Sequence, residues 1–144
     1  MFETWVQLAS NALRWLKLPR SEKGEILIAI GCLARSRWSL SEFTPSEMGF
    51  SGAANLPRLD VNDLARAHSV GRAISRAARI VPWRSDCLVQ ARAAQAWLTG
   101  EGIASQIRLG ARRLPDGAFG AHAWLVCGQD IITGGDVSEF QPFT

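Results

Sequence analysis

The apolar period of this chain changes once, at the segment Gly100-Glu101-Gly102-Ile103, and that change constrains the fold more than any other feature. Before it, apolar residues recur at helical spacing. Trp5, Leu8, Ala12, Trp15 and Leu16 lie near one face of a helix expected over Glu3 to Leu18, which Pro19 ends. A second helix is expected from about Ser21 to about Arg37. A third, over Val61 to Ile80 with Asp60 or Asn62 as its cap, buries Leu64, Ala67, Val70, Ile74 and Ala77. A fourth starts at Cys87 and presents Leu88, Ala91, Gln95 and Leu98, with Ala94 and Ala96 permitting close packing, until Gly100 or Gly102 stops it. After the change come three strand candidates, Ala104–Arg112, Ala121–Cys127 and Asp130–Thr133; the first two are joined by the turn-forming Leu114-Pro115-Asp116-Gly117. Helices first and an antiparallel sheet last specify an α+β protein.

Between the second and third helices, Ser39 to Leu59 holds Pro45, Gly49, Gly52 and Pro57, which mark a loop or short helical turns. Phe43, Met48 and Phe50 argue against a disordered linker, so no domain boundary is drawn there. The expectation is one domain over residues 1–144, with a helical part over about 1–80 and a Cys-helix-plus-strand part over about 81–144. A chain of 144 residues that is 47% hydrophobic and 20% charged can bury a core of its own. Its net charge of +3 is modest. Arg66, Arg72, Arg76, Arg79 and Arg84 are spread along helical segments without an aromatic-rich basic strand module, so nucleic-acid binding is not indicated. They suit a solvated helix face, or a docking surface for an acidic peptide or partner protein.

Three cysteines are an odd count, which excludes a full disulfide framework and places the chain most naturally in a reducing cytoplasm. The apolar run Ile26–Ala34 around Cys32 is about half the length of a membrane span. Glu3 precedes any basic segment, so no secretory signal is read. Cys127 ends a strand and His68 belongs to a helix. No paired CxxC or HxxxH spacing is present, and neither a metal nor another cofactor is implied.

Cys87 differs from the other two cysteines in its placement. Pro82-Trp83-Arg84-Ser85-Asp86 supplies a turn and a cap, Ser85 or Asp86, so the thiol falls in the first helical turn. Backbone N–H groups without helical partners and the positive end of the helix dipole there favour negative charge on sulfur and on a developing oxyanion. A buried packing role is the commoner fate of a lone cysteine, and a strand histidine is often satisfied structure. The partnership argues otherwise. His122, 35 residues on, sits between small residues in Ala121-His122-Ala123-Trp124-Leu125, and a thiol with an imidazole is what a cysteine nucleophile needs.

These segments together resemble the bacterial transglutaminase-like cysteine proteases that remove leader peptides in lasso-peptide biosynthesis. The resemblance is carried by the Cys87-Leu88 helix start, Gly100-Glu101-Gly102-Ile103, Ile107-Arg108-Leu109-Gly110-Ala111-Arg112, Phe119-Gly120-Ala121-His122-Ala123-Trp124 and Ile132-Thr133-Gly134-Gly135. It runs from about Ser21 to the end and is strongest after Pro82. It implies a transglutaminase-like, papain-like core and a Cys-His-Asp triad, in which Cys87 attacks the scissile carbonyl and His122 relays the proton. The aspartate does not transfer directly, because Gly134 stands close to where many relatives carry the acid.

Strand geometry separates two candidates for that acid. With Gly128-Gln129 as a two-residue hairpin turn, His122 faces Gly135. Asp130 then lies roughly 16 Å away along the strand, too far to touch the imidazole. Asp136 is one position past the ideal partner, and a bulge at Gly134-Gly135 would return it to the histidine's side, so the expected site is Cys87, His122 and Asp136.

The resemblance further implies a precursor peptide recognised by its leader and an ATP-dependent lasso cyclase acting after cleavage. It also implies a separate leader-recognition protein, since no winged-helix-type segment precedes the helices and the chain would be the peptidase half of a split pair. Two rivals are a non-catalytic leader-binding adaptor on the same fold and an acyl-transfer enzyme in which an amine replaces water.

Overall fold

The computed structural model describes residues 16–39 and 56–143. Three helices, α1 (Arg20–Ser39), α2 (Val61–Ala78) and α3 (Cys87–Gly100), precede four strands, β1 (Gln106–Arg113), β2 (Phe119–Cys127), β3 (Asp130–Thr133) and β4 (Gln141–Pro142). The strands form one antiparallel sheet in the order β3-β2-β1-β4. The protein is therefore α+β, as the change of period requires. Most of the helix expected over Glu3–Leu18 and most of the Ser39–Leu59 stretch lie outside the described residues.

Local chemistry sets the helix starts. The Asp60 carboxylate accepts from Asp63 N–H at 2.8 Å and begins α2, and Asp86 accepts from Val89 N–H at 3.2 Å and begins α3. Asp60 rather than Asn62, and Asp86 rather than Ser85, is thus the cap. Each supplies one acceptor to N–H groups that the helix itself leaves without partners.

α3 packs on α1, on α2 and on the sheet, and its burial reflects that central position. Val89, Ala91, Ala93, Ala94, Trp97 and Leu98 are buried, whereas Leu88 and Gln95 are half-buried and Ala96 is exposed. A single apolar stripe, as expected from Leu88, Ala91, Gln95 and Leu98, underestimates a helix covered from three sides. The alanines let its neighbours approach, and Leu33 of α1, Ile74 of α2, Leu98 of α3 and Leu125 of β2 are fully buried around it. Each such side chain contributes about 1.5–3 kcal/mol of burial. α2 presents Ala67, Val70, Ile74 and Ala77 as expected, with Leu64 at its margin.

Two devices fasten these layers. Arg66 of α2 bonds Glu101 bidentately, both contacts at 2.8 Å, and also pairs with Glu25 of α1, while Trp97 Nε1 donates to Glu101 at 2.8 Å. One guanidinium thereby joins all three helices, and its hydrogen bond holds the Glu101 carboxyl below the ordinary range. On the other side of α2, Gly71 meets β3: a Cβ there would come within 2.4 Å of the Ile132 carbonyl oxygen. Only a residue without a side chain lets strand and helix approach so closely.

Candidate active site

Cys87 is the first residue of α3 and is partly exposed. The Asp86 carboxylate takes the Val89 N–H, so the N–H groups of Cys87 and Leu88 remain beyond reach of any helical carbonyl. Two further donors sit just upstream: Trp83 Nε1 and Ser85 Oγ are buried without a hydrogen-bond partner among the described residues. The segment is held to the helix by Gln90, whose Nε2 donates to the Ser85 carbonyl at 2.9 Å. Backbone N–H groups at a helix start can meet negative charge that develops there.

His122 is the fourth residue of β2, opposite Gly110 of β1. Strand alternation puts it on one face with Trp124 and Val126, while Leu125 and Cys127 on the other face join the helical core. The imidazole is flanked by two aromatic rings, Trp124 at a centroid distance of 6.1 Å and Phe140 at 4.7 Å. Its Nε2 lies 2.7 Å from the Gly134 carbonyl oxygen.

That contact, and none from Asp136, is the hydrogen bond the imidazole makes among the described residues. The hairpin turn falls at Gly128-Gln129, with Cys127 opposite Asp130 and Val126 opposite Ile131, and a bulge then shifts the register so that Leu125 faces Thr133. The expected bulge exists, but at Ile132 rather than at Gly134-Gly135, and the strand ends at Thr133. Gly134 (φ +107°) and Gly135 (φ +68°) then turn the chain in conformations that side-chain-bearing residues rarely adopt. The turn presents a carbonyl to His122 and leaves Asp136 exposed, its carboxylate accepting from Ser138 N–H at 2.9 Å. That backbone hydrogen bond holds the Asp136 carboxyl below its ordinary range. Cys87 and His122 lie on α3 and β2, which pack together through the Leu125 and Cys127 face of the strand; the imidazole is on the other face, and among the described residues no hydrogen bond joins it to the Cys87 thiol or to Asp136.

Asp130 is engaged elsewhere, 2.8 Å from His68 Nε2 on α2. Cys127 is fully buried, and burial with the nearby Asp130 charge pushes its thiol up to about 11. Burial likewise raises the Cys32 thiol. Neither has the helix-start setting of Cys87. No group of three or more His, Cys, Asp or Glu side chains suited to a metal occurs among the described residues. No helix among them is long and apolar enough to cross a membrane.

The sequence reading missed two groups at His122, the Gly134 carbonyl and Phe140. The glycine pair signalled a turn, but a carbonyl's direction has no signature in residue type. Phe140 lies in the stretch before β4, a two-residue strand too short to betray a period.

A family model described as the transglutaminase-like superfamily matches residues 28–144. No curated protein and no solved structure matches the chain.

Proposed function

Because the chain belongs to the transglutaminase-like superfamily, a family of cysteine-protease and acyl-transfer chemistry, we propose that it is a cysteine peptidase that removes the leader from a ribosomally made lasso-peptide precursor. The observation that carries the reaction class is the placement of Cys87 at a capped helix start on α3, packed against the strand that carries His122. In this reading Cys87 Sγ attacks the scissile carbonyl and His122 takes its proton, then returns it to the departing amine. Water releases the acyl group from sulfur. The N–H groups at the start of α3 supply donors for the oxyanion.

The substrate assignment rests on the run of motifs from Cys87 to Gly135. It carries with it a separate protein that binds the leader and raises the local precursor concentration, and a cyclase that consumes the freed amine. Mass spectrometry of a leader-bearing precursor incubated with the purified chain, with and without the leader-binding protein, tests both parts. Cleavage accelerated by the partner and abolished by Cys87→Ala is expected. Cleavage by purified Cys87→Ala would overturn the nucleophile, and equal rates with and without the partner would overturn assisted delivery.

A second reading has one observation in its favour: the group bonded to His122 is a backbone carbonyl and not a carboxylate. A leader-binding adaptor without turnover accommodates that. It predicts precursor binding with no cleaved or amine-ligated product in the same assay.

A further inference from the structure

We infer that the Gly134 carbonyl takes the place of a triad carboxylate at His122, fixing the proton on Nε2 and leaving Nδ1 as the base, and that Asp136 is a positioning residue for the segment that follows that carbonyl. This inference rests on the peptidase reading of Cys87 and His122.

A carbonyl oxygen can only accept a hydrogen bond, so at 2.7 Å from Gly134 O the Nε2 must be the donor. In the neutral ring Nδ1 is then the unprotonated nitrogen and the sole base. The proton leaves Sγ for Nδ1 as the S–C bond forms, and passes from Nδ1 to the amine as the C–N bond breaks. A water proton then reaches Nδ1 as hydroxide joins the acyl carbon, and finally returns to sulfur as the thioester opens. Nε2–H stays on Gly134 throughout. The cycle balances without a carboxylate, because an orienting acid need not itself take a proton.

The carbonyl is held from several sides. A Cβ at Gly134 would lie 2.5 Å from Trp124 Cβ, so the backbone is pressed onto the residue that flanks the imidazole. Beyond it, Asp136 accepts from Ser138 N–H, and Phe140 N–H donates to Val137 O at 3.0 Å, which turns the Phe140 ring onto His122. Arg112 lies over that ring at 5.0 Å and pairs with Glu139. Phe143 N–H then closes the segment on Leu109 O at 2.9 Å. Asp136 thus acts one step removed from the chemistry, by ordering the segment that follows the Gly134-Gly135 turn and carries Phe140 onto the imidazole.

The decisive measurement is the tautomer of His122 by NMR of the ¹⁵N-histidine-labelled full chain, with the His68 signals assigned through His68→Gln. A protonated Nε2 and an unprotonated Nδ1 in the neutral ring are expected. A proton on Nδ1, or an averaged mixture, would overturn the assignment whatever the activity. Kinetics of Asp136 variants supply the second arm. Asp136→Ala should slow cleavage on the order of fivefold, about the worth of one lost capping hydrogen bond, and Asp136→Asn should recover most of that because its amide oxygen still accepts from Ser138. Equal losses of a hundredfold in both variants would make Asp136 the imidazole's direct partner and defeat the positioning role. Should the tautomer match while Cys87→Ala still cleaves, the peptidase reading alone fails; should Cys87→Ala be dead and the tautomer reversed, this inference alone fails.

Discussion

The two histidines of this chain both bond through Nε2, yet their surroundings are opposite in kind. His68, on α2, meets the Asp130 carboxylate at 2.8 Å on a surface where both side chains are about two-fifths exposed. His122, on β2, meets a neutral carbonyl at 2.7 Å and is flanked by two aromatic rings. By residue type alone the first looks like a catalytic His-Asp pair. The second lies on a strand that packs on the helix begun by Cys87, and one of its ring nitrogens is committed to a fixed acceptor. An acid beside a histidine is a common way to tie a helix to a sheet edge.

The strongest way to break this comparison is to remove each ring in turn. His122→Ala should lower precursor cleavage by about two to four orders of magnitude, the usual worth of a positioned general base, while His68→Ala should leave turnover unchanged in a discontinuous cleavage assay. Comparable losses in both would mean that the His68-Asp130 pair belongs to the site. Next in size is Gly134→Ala. Its Cβ would collide with Trp124 and its φ of +107° disfavours any side chain, so a loss of about 1–3 kcal/mol in chemical denaturation is expected, together with slower cleavage. Unchanged stability and rate would show that the turn relaxes freely and does not aim the carbonyl.

A smaller effect sharpens the contrast from the helical side. Glu101 is held below its ordinary pKa by Arg66, so its ion pair stabilises the fold above the unfolded carboxyl value of 4.5, and that contribution is lost as pH falls through the lower folded value. Glu101→Gln should therefore cost roughly 1 kcal/mol at pH 7, a modest figure because both partners are a third exposed, and progressively less in acid. A pH-independent loss would assign the effect to packing against Trp97. The smallest change is expected for Asp130→Asn, within about 1 kcal/mol of stability and without effect on turnover. A cleavage defect there would restore Asp130 as a candidate for the triad acid.

Much of the fold was legible because it is written in local chemistry. The caps Asp60 and Asp86 and the hairpin turn at Gly128 depend on a few adjacent residues, and β3 spans the expected residues. Cys87 stood out because a capped helix start is a local property too. The misjudged stripe of α3 and the unforeseen β4 share another cause. Whether Val89 or Ala96 is covered depends on what packs on that side of the helix, and two residues pair as a strand only because β1 offers Gly110 and Ala111 beside them.

The same division runs through the site. Sequence by itself determined the α+β order of elements, the thiol at a helix start and a histidine on the following sheet, since each follows from period, cap or turn within a short window. Tertiary structure decided which partner His122 receives. The hairpin count brought Asp136 within one residue of the imidazole, but a bulge at Ile132, seated on Gly71 of α2, used the register shift early and ended the strand at Thr133. The next residues then turn at two positive-φ glycines, sending a carbonyl inward and a carboxylate outward. Every residue has a carbonyl, so its identity carries no information about where that dipole points; only the path of the folded backbone fixes the direction.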